Sequence, residues 1–259
     1  MRAFAFAALL LAATVQAAPL RQELIDDFRD AAAWQASASD QVKATARRAA
    51  DGSLCLDYDF AGVSGYAVLA RAKPVGWPER FDLHLRYRGE GARNDFQFKL
   101  VDASGQNVWW MNRPNHPLPQ RLEDLRIRRR HIDFAWGPAS DRRLARTERI
   151  EFVIAAGKEG GRGSLCLARL ELRERAPDPL PWPDVKRAVQ GDRLTLDFGV
   201  PREFNGLALQ WPAPAPDYDV FGRDGTGGPW RLLRRVRGSD GALDALYLPE
   251  TEARQLRIH

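Results

Sequence analysis

Beyond residue 20, apolar and polar residues alternate in short runs broken by Gly, Asn and Asp. That is the two-residue period of half-buried strands, not the 3.6-residue period of helices. Phe96, Phe98 and Leu100 fall on one side of a predicted strand and Asp95, Gln97 and Lys99 on the other. Asp102-Ala103-Ser104-Gly105 reads as a turn and Asn107 to Asn112 as the returning strand, which predicts a hairpin. Further strands are predicted at Ser53 to Phe60, Tyr66 to Ala70, Phe81 to Tyr87, Leu125 to Ile127, Ile150 to Ala155 and Ser164 to Leu172. Regular short strands separated by turn signals predict an all-β chain built as a sandwich or jelly roll. One segment competes: Leu24, Ile25 and Phe28 carry helical spacing.

Ala176-Pro177-Asp178-Pro179-Leu180-Pro181-Trp182-Pro183 interrupts the pattern, and its prolines exclude both helix and central strand. It predicts a stiff, extended linker over 176–183 between a first domain (20–175) and a second (184–259). In the second, Leu194 to Phe198, Leu207 to Trp211, Tyr218 to Phe221 and Trp230 to Leu233 alternate again, so this part is all-β too. A unit of about 75 residues without cysteine is marginal on its own, and the chain stops at His259 within a strand-like run. The second β module therefore reads as incomplete, and the chain either as the front of a longer exported protein or as the product of a gene shortened in its coding sequence.

The N-terminus changes the setting. Arg2, an apolar run from Ala3 to Val15 and the small residues before Ala18-Pro19 read as a secretory signal peptide over 1–17. The run is too short to serve as a transmembrane anchor, so a periplasmic or secreted chain is expected. The net charge of +5 comes almost wholly from arginine. The densest cluster, Arg121 to Arg149, is interleaved with Glu123, Asp124, Asp133, Asp141 and Glu148 and reads as a solvated face, so no nucleic-acid partner is expected.

Catalytic patterns are missing from the sequence. Gly62-Val63-Ser64-Gly65 lacks the spacing of a nucleophile elbow. His84, His116, His131 and His259 are scattered, so no metal site or cofactor is predicted. Gly157 to Gly163 is glycine-rich but feeds a strand instead of a helix, unlike a phosphate cradle. Asp26 and Asp27 are adjacent and would face opposite sides of a strand.

What the chain does supply is aromatic and planar polar side chains on β structure. Sugars present apolar C–H faces ringed by hydroxyls, and suit an aromatic platform beside directional hydrogen-bonding groups. Asn107, Trp109, Met111 and Arg113 share one face of the returning strand, opposite Val108, Trp110 and Asn112. One tryptophan is thus expected in the core and the other outward. Trp110 and Trp136 are read as core, and Trp109 with Arg113 as the ligand-binding pair, continued by Asn107 and, across the hairpin, by Asp95, Gln97 and Lys99. The alternative for Trp109 is a ring that merely carries the Arg113 cation.

Several segments taken in order resemble a known pattern: Leu24-Ile25-Asp26-Asp27-Phe28 with Trp34, Gly52 to Phe60, Gly65-Tyr66-Ala67, Ile150-Glu151-Phe152 and Gly163 to Leu172. Together they are similar to the galactose-binding-like jelly rolls of family 11 carbohydrate-binding modules and of the complex I intermediate-associated protein 30 family. The resemblance implies that Leu24 to Phe28 opens a strand, not a helix, and that the last strand returns beside early ones. Ala168-Arg169 departs from the acidic residue often found there, so no acidic or calcium-linked role is carried over. Leu194 to Gly199, Phe204 to Leu207 and Glu252 to Ile258 resemble coagulation factor 5/8 type C, or discoidin, domains. Modules of both kinds imply an exported, non-catalytic protein that binds a polysaccharide or oligosaccharide, or an accessory module at the N-terminal end of a longer carbohydrate-active enzyme. The alternative is a protein-interaction or assembly module of the cell envelope. Finally, Gly52-Ser53-Leu54-Cys55-Leu56 and Gly163-Ser164-Leu165-Cys166-Leu167 repeat one pentapeptide. They predict an early and a closing strand lying side by side, with Cys55 and Cys166 within bonding distance in an oxidising compartment.

Overall fold

The computed structural model describes residues 19–213 and 215–259; the expected signal peptide lies outside them. The chain divides into two compact units between Pro177 and Asp178. The first carries β1 (Gln22–Asp26), β2 (Gln35–Ala38), β3 (Lys43–Arg48), β4 (Leu54–Asp59), β5 (Tyr66–Gly76), β6 (Phe81–Gly91), β7 (Asn94–Val101), β8 (Val108–His116), β9 (Glu123–Arg128), β10 (Asp133–Trp136), β11 (Arg146–Ala155) and β12 (Arg162–Glu174). All pair antiparallel in two sheets, ordered β3-β4-β12-β6-β9 with β1 also on β12, and β10-β8-β7-β11-β5-β2. This is a jelly-roll β-sandwich.

Alternation places the core between the sheets. Phe96, Phe98, Leu100, Ile150, Phe152 and Ile154 face inward from one sheet; Leu54, Leu56, Leu83, Leu85, Leu165 and Leu167 do so from the other. Strand β12 changes parity: Leu165 and Leu167 are followed by Leu170 and Leu172, all fully buried. A register shift between Leu167 and Arg169 accommodates the extra residue as a bulge and keeps both leucine pairs inside.

The segment with helical spacing is strand β1, paired with Leu170–Arg173. Just after it, the Asp26 Oδ1 accepts the Phe28 N–H at 2.6 Å, Phe28 takes φ 55°, and its ring enters the core stacked 5.1 Å from Trp34. The Asp26 carboxylate is buried and is held by Arg71.

The two pentapeptides run antiparallel, with Leu54 opposite Leu167, Cys55 opposite Cys166 and Leu56 opposite Leu165. Cys55 and Cys166 form a disulfide, with Cα atoms 3.9 Å apart. The first glycine of each repeat serves differently. Gly52 takes φ +83° in the turn before β4, whereas a Cβ on Gly163 would lie 2.3 Å from the Glu90 carbonyl oxygen.

The second unit is one antiparallel five-stranded sheet, ordered β13-β14-β17-β15-β16, from β13 (Lys186–Gln190), β14 (Arg193–Gln210), β15 (Tyr218–Arg223), β16 (Arg231–Val236) and β17 (Leu243–Ile258). What reads in sequence as two strands over 194–211 is the single β14, whose pairing with β17 is irregular between Asp197 and Arg202, where Gly199 and Pro201 fall. Its small core is Tyr218, Val220 and Ile258, flanked by Leu194, Leu207, Leu209 and Trp211.

Candidate functional site

Residues directly opposite on paired strands share a face, so the outward face of the β10-β8-β7-β11-β5-β2 sheet can be read row by row. One row is Gln35, Ala70, Glu151, Lys99, Trp110 and Asp133. At about 4.8 Å per strand it spans roughly 24 Å. The next is Ser37, Val68, Val153, Gln97 and Asn112, in which Ser37 and Asn112 are exposed and the three between them buried.

The aromatic end of this face is built by β8 and β10. Trp110 is half-buried, and Trp136, 47% exposed, meets it edge to face at 5.5 Å and 82°. The Lys99 Nζ lies 5.9 Å from the Trp110 ring and 5.3 Å from Trp136. Burial beside these rings pushes the Lys99 ammonium below the usual lysine range, with Glu151 on the next strand pulling the other way. Glu151 is engaged by the Arg149 Nε at 2.7 Å.

Of the expected binding residues, Asp95, Gln97 and Lys99 lie on this outward face of β7. Asp95 accepts the Asn115 N–H at 2.8 Å, and Gln97 is buried. The three from the returning strand do not join them. Trp109 lies opposite Leu100, is 4% exposed in the core, donates its indole N–H to the Arg142 carbonyl at 2.8 Å and meets Phe134 edge-on. Arg113, opposite Phe96, shares that inward parity and reaches Tyr87 and His116 electrostatically. Asn107 is buried as a tie: its Nδ2 donates to Asp102 Oδ2 at 2.7 Å and its Oδ1 accepts the Ala139 N–H at 2.9 Å. The expected placements of the two tryptophans are thus exchanged, and Trp136 is outward where core was expected. Trp110, Asn112 and Trp136 are what the sequence reading missed.

The outward face of the other sheet holds an open recess of about 660 Å³. Thr45, Asp57, Ser164 and Glu90 cross its floor in one row. Its charges are largely matched internally, Arg47 with Asp57 and Arg162 with Asp59. The one ring in its lining, Tyr58, belongs to the core, so it offers no stacking platform. Among the described residues no group of three or more His, Cys, Asp or Glu is placed to hold a metal ion, and no helix is long and apolar enough to cross a membrane.

No protein-family model and no curated protein matches the chain. Among solved structures it is similar to the family 11 carbohydrate-binding module of the cellulosomal cellulase Lic26A-Cel5E of Clostridium thermocellum, at 14% identity and TM-score 0.48, over 61% of this chain and 97% of that one. It is likewise similar to the Clostridium thermocellum module in complex with a β-1,3-1,4-mixed-linked tetrasaccharide, at 16% identity and TM-score 0.47, over 60% of this chain and 96% of that one. A weaker likeness, at 14% identity and TM-score 0.38, is to the glycoside hydrolase domain of Endo-D from Streptococcus pneumoniae, over 85% of this chain and 32% of that one.

Proposed function

We propose that the chain is an exported, non-catalytic carbohydrate-binding protein whose ligand lies on the outward face formed by β8, β7 and β10. The observation that carries this reading is the exposed Trp136 ring set edge-on to Trp110 beside Lys99 and Asn112. A ring face is electron-rich and accepts the C–H face of a pyranose, while lysine and asparagine supply the donors and acceptors its hydroxyls need. Lys99 and Asn112 flank the rings in register, so the polar groups are held by the sheet instead of by a mobile loop. The Cys55–Cys166 disulfide supports an oxidising compartment. The discoidin-like character of the second unit rests on its sequence segments and is part of this proposal.

Isothermal titration of the full chain with a panel of neutral oligosaccharides, beginning with the mixed-linked tetrasaccharide, tests the reading. Trp136→Ala removes roughly 60 Å² of ring contact. At about 25 cal/mol per Å² that is about 1.5 kcal/mol, or roughly tenfold in affinity. Because the ring is nearly half exposed, the thermal midpoint should hardly move. Unchanged affinity in Trp136→Ala, or no binding across the panel while a protein is recovered by pull-down, overturns the proposal in favour of an interaction module.

A further inference from the structure

The second unit carries a separate cluster that the carbohydrate face does not use. On β17, Arg257 lies opposite Thr195 of β14 and Phe221 of β15. Arg193 and Arg223 lie two residues from those partners, so alternation puts all three positions on one face, with Arg193 and Arg223 each diagonal to Arg257 on opposite sides of it. Trp230 anchors two of them: the Arg223 guanidinium carbon is 4.3 Å and that of Arg257 4.5 Å from its ring centroid, with Phe221 5.0 Å from Arg257.

The carboxylates on this face are already engaged by other donors. Asp197 accepts from Arg254 (3.1 Å), Gln255 (2.6 Å) and the Gly199 N–H (2.8 Å). Asp219 pairs with Arg235 at 3.3 Å and Arg237 at 2.9 Å. Asp224, in the loop after β15, pairs with Arg231 at 3.1 Å. Arg223 directs its Nε to the neutral Gln255 Oε1. The Arg257 Nε is buried and has no hydrogen-bond partner. A buried cationic donor without an acceptor is a costly arrangement that an incoming anion relieves.

We propose that Arg223 and Arg257, held against Trp230, form with Arg193 beside Arg257 a binding site for a single oxyanion group carried by an acidic sugar, either a uronate carboxylate or a sulfate ester. A carboxylate is planar and a sulfate ester tetrahedral, yet each presents a pair of anionic oxygens that the two N–H donors of a guanidinium fork can engage together. The cluster is local: residues 178–259 hold 11 Lys and Arg against 12 Asp and Glu, a near-balance that gives no long-range pull on a polyanion such as nucleic acid. Burial, and then the like charges of Arg193 and Arg223, depress the proton affinity of Arg257, consistent with an uncompensated positive site. The sugar as carrier rests on the carbohydrate reading above; the oxyanion chemistry does not.

The test is titration of the full chain with galacturonate, galactose 6-sulfate and galactose, followed by tryptophan fluorescence and calorimetry. One or both acidic sugars should bind, galactose should not bind at this site, and added salt should weaken the interaction. Arg257→Gln should reduce affinity for the acidic sugar by about tenfold, and Trp230→Phe should remove the fluorescence response. Arg193→Gln, at an exposed position, provides a second variant that keeps the fold and should weaken binding by a smaller factor. A carboxylate-only or sulfate-only response identifies the group. Equal binding of galactose, or full affinity in both arginine variants, overturns the site. Trp136→Ala should leave this response intact, so failure of the carbohydrate face and failure of the oxyanion site are read separately.

Discussion

Breaking the Cys55–Cys166 link should destabilise the sandwich strongly and leave the second unit untouched. The bond joins positions 111 apart in sequence, so reducing it frees a loop that spans most of the first unit. Chain entropy for a loop of about 100 residues gives about 4.7 kcal/mol, an upper figure if the unfolded chain keeps residual structure. Against a stability of about 5–15 kcal/mol for a typical domain this is a large share. At roughly 2–4 °C per kcal/mol it lowers the melting midpoint by about 10–20 °C. Both cysteines are fully buried, and in register they are flanked by Arg47 and Arg88, which are paired with Asp57 and Asp51. Reductant added to the native protein should therefore act slowly, and the comparison calls for reduction in denaturant followed by refolding. Differential scanning calorimetry of oxidised chain, reduced chain and the Cys55→Ala/Cys166→Ala variant should show the first unit's transition displaced downward in the last two. The cysteine-free second unit should melt where it did before. The guanidinium m-value of the first unit should rise as its unfolded state expands. Coincident transitions for oxidised and reduced chains would refute the argument, because the loop would then not limit the unfolded ensemble.

Two further outcomes test the core. Trp109→Ala removes a buried indole and its hydrogen bond to Arg142; it should cost about 3–5 kcal/mol in chemical denaturation while folded protein keeps its ligand affinity, the reverse of Trp136→Ala. His116 is held down to about 4, first by burial and then by the Arg113 charge, and its Nε2 lies 2.9 Å from the Tyr87 hydroxyl. The unfolded imidazole titrates near 6.5, so between pH 6.5 and 4 the unfolded chain binds a proton that the folded chain refuses. Stability is full above pH 6.5 and falls as pH drops through that window. His116→Gln should flatten this part of the stability profile; an unchanged profile assigns the acid sensitivity elsewhere.

The inner strands were legible because two-sided pairing and one buried face leave a strict alternation, as in Phe96-Gln97-Phe98-Lys99-Leu100. The strands that escaped are mostly at edges. Lys43–Arg48 and Gln35–Ala38 each pair on one side only and are rich in Ala, Ser, Arg and Lys. Edge strands carry few apolar demands and are often charged, which erases the signal. Lys186–Gln190 is exposed at every position for the same reason. The leucines of β12 held a clue in their spacing, since a step of three between Leu167 and Leu170 within an otherwise two-residue period marks a bulge. The Cys55–Cys166 pairing was readable from the repeated pentapeptide, although no local rule shows that the two copies must be neighbours; that follows from the return of the closing strand.

The exchange of the two tryptophans comes from parity, and so from the length of one connection. In an antiparallel hairpin the numbers of paired residues have a constant sum, and partners share a face. A returning strand that starts at Asn107 leaves a connection of five residues, 102–106, and an even sum, whereas the observed connection of six, 102–107, makes it odd. With six, odd-numbered Trp109 faces with even-numbered Phe98 and Leu100, inside, and Trp110 faces with Lys99, outside. Only a bulge can break the rule, and one does at the far end. Phe96 pairs with Arg113, yet Asn94 pairs with His116. The extra residue falls at Pro114-Asn115, where Asn115 takes φ 52° and donates its N–H to Asp95. This turns even-numbered His116 inward onto Phe96 and Tyr87. The same device therefore half-buries the histidine and interrupts the outward alternation beyond Asn112, so the surface proposed for ligand on β8 is confined to Trp110 and Asn112.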